Sequence, residues 1–201
     1  MRKILLLFLS LSILSCSDSK NEFESKYPDY SLNKINFLNK NFYIPDNYQN
    51  ASSDSIFQSR LNSIKSIDSL SLNNQKYLRL LNSGAQFEYF IDTNNPKNTI
   101  TFILGEYISL NENTMNKFVE MLKLKSFKKD RELNYRYTLE QKKFYKLSYA
   151  DVVKVKFKRT KSEEELYLSQ YLISQGLKTM TMIVTNSNNE DYDELIKNFQ
   201  L

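Results

Sequence analysis

The sequence predicts an α+β domain, a largely antiparallel central sheet with helices packed on it, and three observations carry that reading. Val153, Val155 and Phe157 alternate with Lys154, Lys156 and Lys158, the period-two pattern of a strand with unlike faces. Successive apolar runs are joined by short polar connections, which favour hairpins over crossovers. Met115, Phe118, Val119 and Leu122 recur at helical spacing, as do Tyr192, Leu195, Ile196 and Phe199.

Taken in order, Phe37 to Ile44 reads as a strand ended by Pro45. Asp54 caps a helix bearing Phe57, Leu61 and Ile64 at i, i+4, i+7. A short helix over Gln75 to Asn82 stops at Gly84, which suits a left-handed C-terminal cap. Phe87–Ile91 and Thr99–Ile108, joined by a polar turn with Pro96, form a hairpin with a longer loop. Asn111 or Asn113 opens the 115–122 helix, and Lys123, Lys125 and Lys128 suit its negative end. Strand patterns run from Leu133 to Thr185. Within them Tyr167–Ser174 and Lys178–Thr185 meet across Gln175-Gly176, where glycine accepts positive φ. A last helix covers Glu190 to Phe199, with acidic residues at its positive end.

The chain opens MRKILLLFLSLSILSC: a positive start in Arg2 and Lys3, an apolar run too short to span a bilayer, a small Ser15, then the sole cysteine. This resembles a bacterial lipoprotein signal, in which residues 1–15 are removed and Cys16 is lipidated. The resemblance implies attachment to a membrane of the bacterial cell envelope, the outer membrane in a Gram-negative cell. Residues 16–33, polar and charged, read as a flexible tether, and 34–201 as a single globular domain. Removing Arg2 and Lys3 lowers the formal charge from +5 to +3, a mild excess that gives no case for nucleic acid.

Absences narrow the chemistry. Without histidine there is no Ser-His-Asp triad, Cys-His pair or histidine-bound metal. A cysteine committed to lipid leaves no thiol catalysis or disulfide. Three scattered glycines form no phosphate-cradling loop. No cofactor is expected. Carboxylate pairs remain: Glu88, Asp92 and Glu106 share the 87–108 hairpin, but Glu88 and Asp92 lie about 13–14 Å apart along a strand, beyond glycosidase geometry.

Two segments together resemble the PsbP-like superfamily: NKNFYIPDNY (Asn39–Tyr48) is similar to its opening strand, and Tyr171–Phe199 to its closing hairpin and terminal helix. Members include lipid-anchored bacterial proteins and relatives that bind a small GTPase. The resemblance implies an α/β/α sandwich and a binding or assembly role rather than catalysis. It transfers no functional residues.

As a partner-binding surface, Lys142, Lys143, Lys146, Lys154, Lys156 and Lys158 can merge into one basic face across adjacent strands; the plainer alternative is a solvated face that discourages edge pairing. Glu163-Glu164-Glu165 and Asn186 to Asp193 offer cation-type oxygens but read better as loop and helix cap. Tyr145, Tyr149, Tyr167 and Tyr171 either line a sugar-stacking cleft or fill the core. The expected function is a non-enzymatic lipoprotein binding an envelope protein. A glycan- or solute-binding lipoprotein and a carboxylate hydrolase are the alternatives.

Overall fold

The computed structural model describes residues 24–51, 80–81, 83–132 and 134–197. Cys16 and the helix expected from Asp54 lie outside them, as do Phe199 and most of the helix expected before Gly84. Leu80, Leu81 and Ser83 are helical, and Gly84 follows at φ +68°, the conformation a left-handed cap requires.

The first described strand lies partly inside the stretch read as tether. Strand β1 (Tyr30–Ile35) pairs antiparallel with β2 (Lys40–Pro45) around a turn at Asn36–Asn39, so Phe37 and Leu38 belong to the turn. Ile35 is the only fully buried side chain of β1; Tyr30 packs partly against the same core, and the positions between are polar or exposed.

Seven further strands form one sheet: β3 (Tyr48–Asn50), β4 (Phe87–Asp92), β5 (Thr99–Glu106), β6 (Arg136–Lys146), β7 (Asp151–Lys161), β8 (Glu164–Gln175) and β9 (Lys178–Asn186). Their spatial order is β3-β4-β5-β9-β8-β7-β6, every neighbour antiparallel. The last strand therefore sits in the middle, between β5 and β8. Two-residue turns close β7 to β8 at Ser162-Glu163 and β8 to β9 at Gly176-Leu177, with Ser162 at φ +54° and Gly176 at φ +59°.

Alternation sends the apolar side chains to two cores. On one face Phe102, Val152, Tyr171 and Met182 lie under Phe42 and Ile44 of the β1–β2 hairpin and under Tyr192, Leu195 and Ile196. Phe42 meets Phe102 edge-on at 5.0 Å. The second face is covered by α1 (Glu112–Met121), a π turn (Leu122–Ser126) and α2 (Lys128–Glu132), with Met115, Val119, Leu122 and Phe127 on Val153, Val155, Phe157 and Leu168. Each such burial contributes about 1.5–3 kcal/mol. Asn111 caps α1: its Oδ1 accepts from Thr114 N at 2.9 Å. The ladder then widens, Phe127 N donating to Leu122 O at 3.0 Å, and this turns Phe127 into the core.

The fold is thus sheet-dominated and antiparallel. Helices as the covering layer are only part of the outcome, because a hairpin and the single short helix α3 (Asp193–Lys197) cover the first face.

Candidate functional site

The six lysines expected to form one basic face do not share one. Residues directly opposite each other in an antiparallel pair point to the same side. Lys143 stands opposite Lys154, but Lys142 stands opposite Val155 and Lys146 opposite Asp151. Lys143, Lys154, Lys156 and Lys158 therefore share one face, and Lys142 and Lys146 the other. Nor are Lys154 and Lys156 of the first group solvated. The connection from β9 to α3 folds back over the strand and supplies acceptors. Lys154 is fully buried, its Nζ 2.5 Å from Asp191 Oδ2 and 2.9 Å from Asp193 Oδ1. Tyr171 OH donates to Asp191 Oδ1 at 3.1 Å. Lys156, also buried, donates to Asn189 O at 3.4 Å, and Lys158 meets Glu165 at 2.6 Å. Lys142 donates to Asn116 Oδ1 at 2.8 Å. Lys143 is exposed and lies 5.1 Å from the Tyr145 ring centroid; Lys146 is exposed as well.

The same connection explains the acidic run before the last helix. Burial alone pushes the Asp191 carboxyl up, but the Lys154 ammonium outweighs it and holds the group below its ordinary value. Asn186 Nδ2 donates to Glu190 O at 3.1 Å, and Tyr30 OH donates to the Glu190 carboxylate, tying this loop to the β1–β2 hairpin. Asn186 to Asp193 is a clamp on the sheet. Among the described residues no group of three or more His, Cys, Asp and Glu is placed to hold a metal ion.

The hairpin carboxylates are fixed acceptors too. Glu88 is buried and accepts from Asn36 N at 3.2 Å, Asn36 Nδ2 at 2.8 Å and Asn50 Nδ2 at 2.7 Å, pinning the β1–β2 turn to β4. Asp92, also buried, accepts from Asn47 Nδ2 at 2.8 Å, Asn94 N at 2.8 Å and Asn98 Nδ2 at 2.9 Å. Burial pushes its carboxyl up, yet these donors outweigh burial and hold it below its ordinary value. Such a carboxylate is a poor general acid near neutral pH. Glu106 is exposed, at the far end of β5.

Of the two readings of the four tyrosines, the core holds for three. Tyr171 is fully buried, and Tyr145 and Tyr149 pack against the same core. Tyr149 OH donates to Ile196 O, and burial pushes its phenol up to about 12. Only Tyr167 stands apart, with Lys156 Nζ 5.6 Å from its ring centroid.

What sequence patterning missed is an apolar end. At the turn between β8 and β9 Leu177 is 88% exposed. Beside it an open groove of about 440 Å³ is lined by Leu38, Leu104, Gly176 and Met180 among others. The segment leaving β5 lies against this hairpin, since Ile108 N donates to Thr179 Oγ1 at 2.8 Å and Ser174 Oγ donates to Ile108 O at 2.7 Å. That segment exposes Tyr107 and Ile108. The available signal was Gly176-Leu177 itself, a two-residue turn carrying leucine where polar residues are usual.

No family model matches the sequence, and no curated protein matches it. Among solved structures the chain is similar to cyanobacterial PsbP (CyanoP) from Synechocystis sp. PCC 6803, with a TM-score of 0.49 and 8% identity over 84% of this chain and 85% of that one. It is also similar to a protein of unknown function from Pseudomonas aeruginosa, with a TM-score of 0.34 and 10% identity over 79% of this chain and 83% of that one. At those values the reading of this chain rests on its own residues.

Proposed function

We propose that the chain is an envelope lipoprotein, held to a membrane through Cys16, whose folded body binds a protein partner and catalyses no reaction. One observation supports the binding role most: Leu177 stands exposed beside an apolar groove, and the adjoining segment exposes Tyr107 and Ile108, so that three of the six exposed large apolar side chains among the described residues gather at this end of the sheet. The buried carboxylates Glu88 and Asp92, engaged by asparagine amides, and Asp191, paired with Lys154, favour binding over hydrolysis. The layered PsbP-like arrangement belongs to the same reading. Asn39–Tyr48 runs through the hairpin turn and β2 into β3, and Tyr171–Phe199 runs from β8 through β9 and α3.

The anchor is compatible with the first described residues. Glu24 Oε1 accepts from Tyr43 OH at 3.1 Å, so seven residues separate the body from Cys16, eight steps that reach about 28 Å at most. Several acyl chains exceed what stable anchoring requires.

Two measurements test this. Cys16→Ala abolishes labelled palmitate incorporation and releases the protein from membranes; unchanged labelling removes the anchor. A photo-crosslinking residue at position 177 or 108 yields a discrete protein adduct in cells, and the same residue at position 162, at the opposite end of the sheet, yields none. Adducts to lipid alone, or equal adducts from both ends, overturn the protein-binding role.

A further inference from the structure

Arg131, Arg136 and Arg159 are all the arginines among the described residues, and they stand together at the end of the sheet away from Leu177. The remaining described cations are lysines, so the placement concentrates the one side chain shaped to fork around oxyanions. The local chain path produces it. After α2 the backbone reverses at Asn134, with φ +65°, and Tyr135 N donates to Asp130 O at 3.0 Å. Phe127 stacks on Tyr137 at 3.8 Å and fixes α2 against the start of β6. Between them lies a cleft of about 390 Å³ lined by Arg131, Asn134, Tyr135, Arg136 and Tyr137.

Behind the Tyr135 wall the charge continues. Arg159, opposite Tyr137 across the β6–β7 pair, is 5% exposed, and its guanidinium carbon lies 5.1 Å from the Tyr135 ring centroid. Lys161 Nζ lies 4.7 Å from the same centroid. Arg159 Nη1 is buried and has no acceptor among the described residues. Local acids offset this group only in part. Asp130 is fully buried and takes Tyr137 OH at 2.5 Å, while Glu164, across from Lys161, lies 3.3 Å from Lys97. Arg131, Arg136, Arg159 and Lys161 thus gather at one end of the sheet against Asp130 and the exposed Glu132 and Glu163, a net positive group that a phosphomonoester dianion matches better than a carboxylate.

We propose that this cleft binds the phosphate group of a phosphomonoester, with Arg131 and Arg136 contacting its oxygens at the mouth and Arg159 and Lys161 supplying positive potential behind Tyr135. Arg131 already donates one guanidinium nitrogen to Lys123 O at 2.7 Å, which orients the fork and leaves its other donors for the ligand.

The test is calorimetric titration of the lipidated full chain in a neutral detergent. Glycerol phosphate is expected to bind saturably, and sodium acetate at matched ionic strength not to. A short-chain phosphatidic acid then separates the sources: affinity about tenfold above glycerol phosphate identifies a lipid headgroup, and equal affinity a soluble phosphomonoester. Arg131→Gln and Arg136→Gln, both at exposed positions, are each expected to weaken binding by about fivefold or more, and Lys128→Gln to leave it unchanged. Absence of saturable binding overturns the assignment. So does equal binding of acetate, or full affinity in the Arg131→Gln, Arg136→Gln double variant.

Discussion

Lys154 is the residue on which sequence and structure part most sharply. In the alternation of β7 it looks like any strand lysine facing water, yet it is fully buried beneath Asp191 and Asp193. A period of two tells which residues share a face and says nothing about what later covers it. Here the cover comes from a loop more than thirty residues downstream. Replacing Lys154 by Met strands two carboxylates against an apolar strand, and the expected cost is about 1–3 kcal/mol in denaturant unfolding, because both acids keep partial access to water. The triple change Lys154→Met, Asp191→Asn, Asp193→Asn is expected to recover part of that loss; a triple variant no more stable than the single one argues against the ion pairs as the cause. Gly176 tests a different term. A Cβ there meets nothing within 4 Å, so Gly176→Ala costs only backbone strain at φ +59°, about 1–2 kcal/mol in the same assay. A neutral result would mean that the turn relaxes out of the left-handed region.

At the level of elements, strong local signals came through. The hairpin over 87–106, the helix beginning after Asn111 and the glycine turn between β8 and β9 all carry side-chain chemistry that dictates backbone shape. Asn111→Ala removes the acceptor for Thr114 N and is expected to lower stability by about 1 kcal/mol, measurable as a shift in the urea midpoint with unchanged slope. An unaltered midpoint would assign the start of α1 to packing alone. Signals failed where an element is held by its surroundings. β1 is polar along most of its length and was read as spacer, because its partner β2, and not its own composition, makes it a strand. The apolar groove at one end of the sheet was equally hidden, since it gathers Leu38, Leu104 and Met180 from distant parts of the chain; the cleft at the other end is lined within residues 131–137, but nothing in that stretch announces the reversal at Asn134 that forms it.

Over the whole molecule, two carboxylates held below their ordinary values set the response to acid. Asp92 and Asp191 both have folded values under the 3.8 of the free side chain. A depressed group contributes its stability above the unfolded value and loses it as pH falls through the folded one. The melting temperature is therefore expected to hold between about pH 7 and 5 and to fall below about pH 4. Asp92→Asn lowers it at neutral pH but flattens the acid limb, whereas a melting temperature that rises on acidification would contradict both assignments. Assembly of the sheet is a property of this scale as well. On the edge away from β4, β5 pairs with β9 and not with β6, the next strand in sequence, a long-range pairing that makes folding slow relative to a chain of local hairpins.

The placement of β9 between β5 and β8 has a bearing on biosynthesis. While the ribosome is still short of Lys178, the strands already made present two bare edges that only each other's missing neighbour can close. A premature stop codon ahead of that point would leave two unjoined half-sheets, β3-β4-β5 and β6-β7-β8, for proteases to clear.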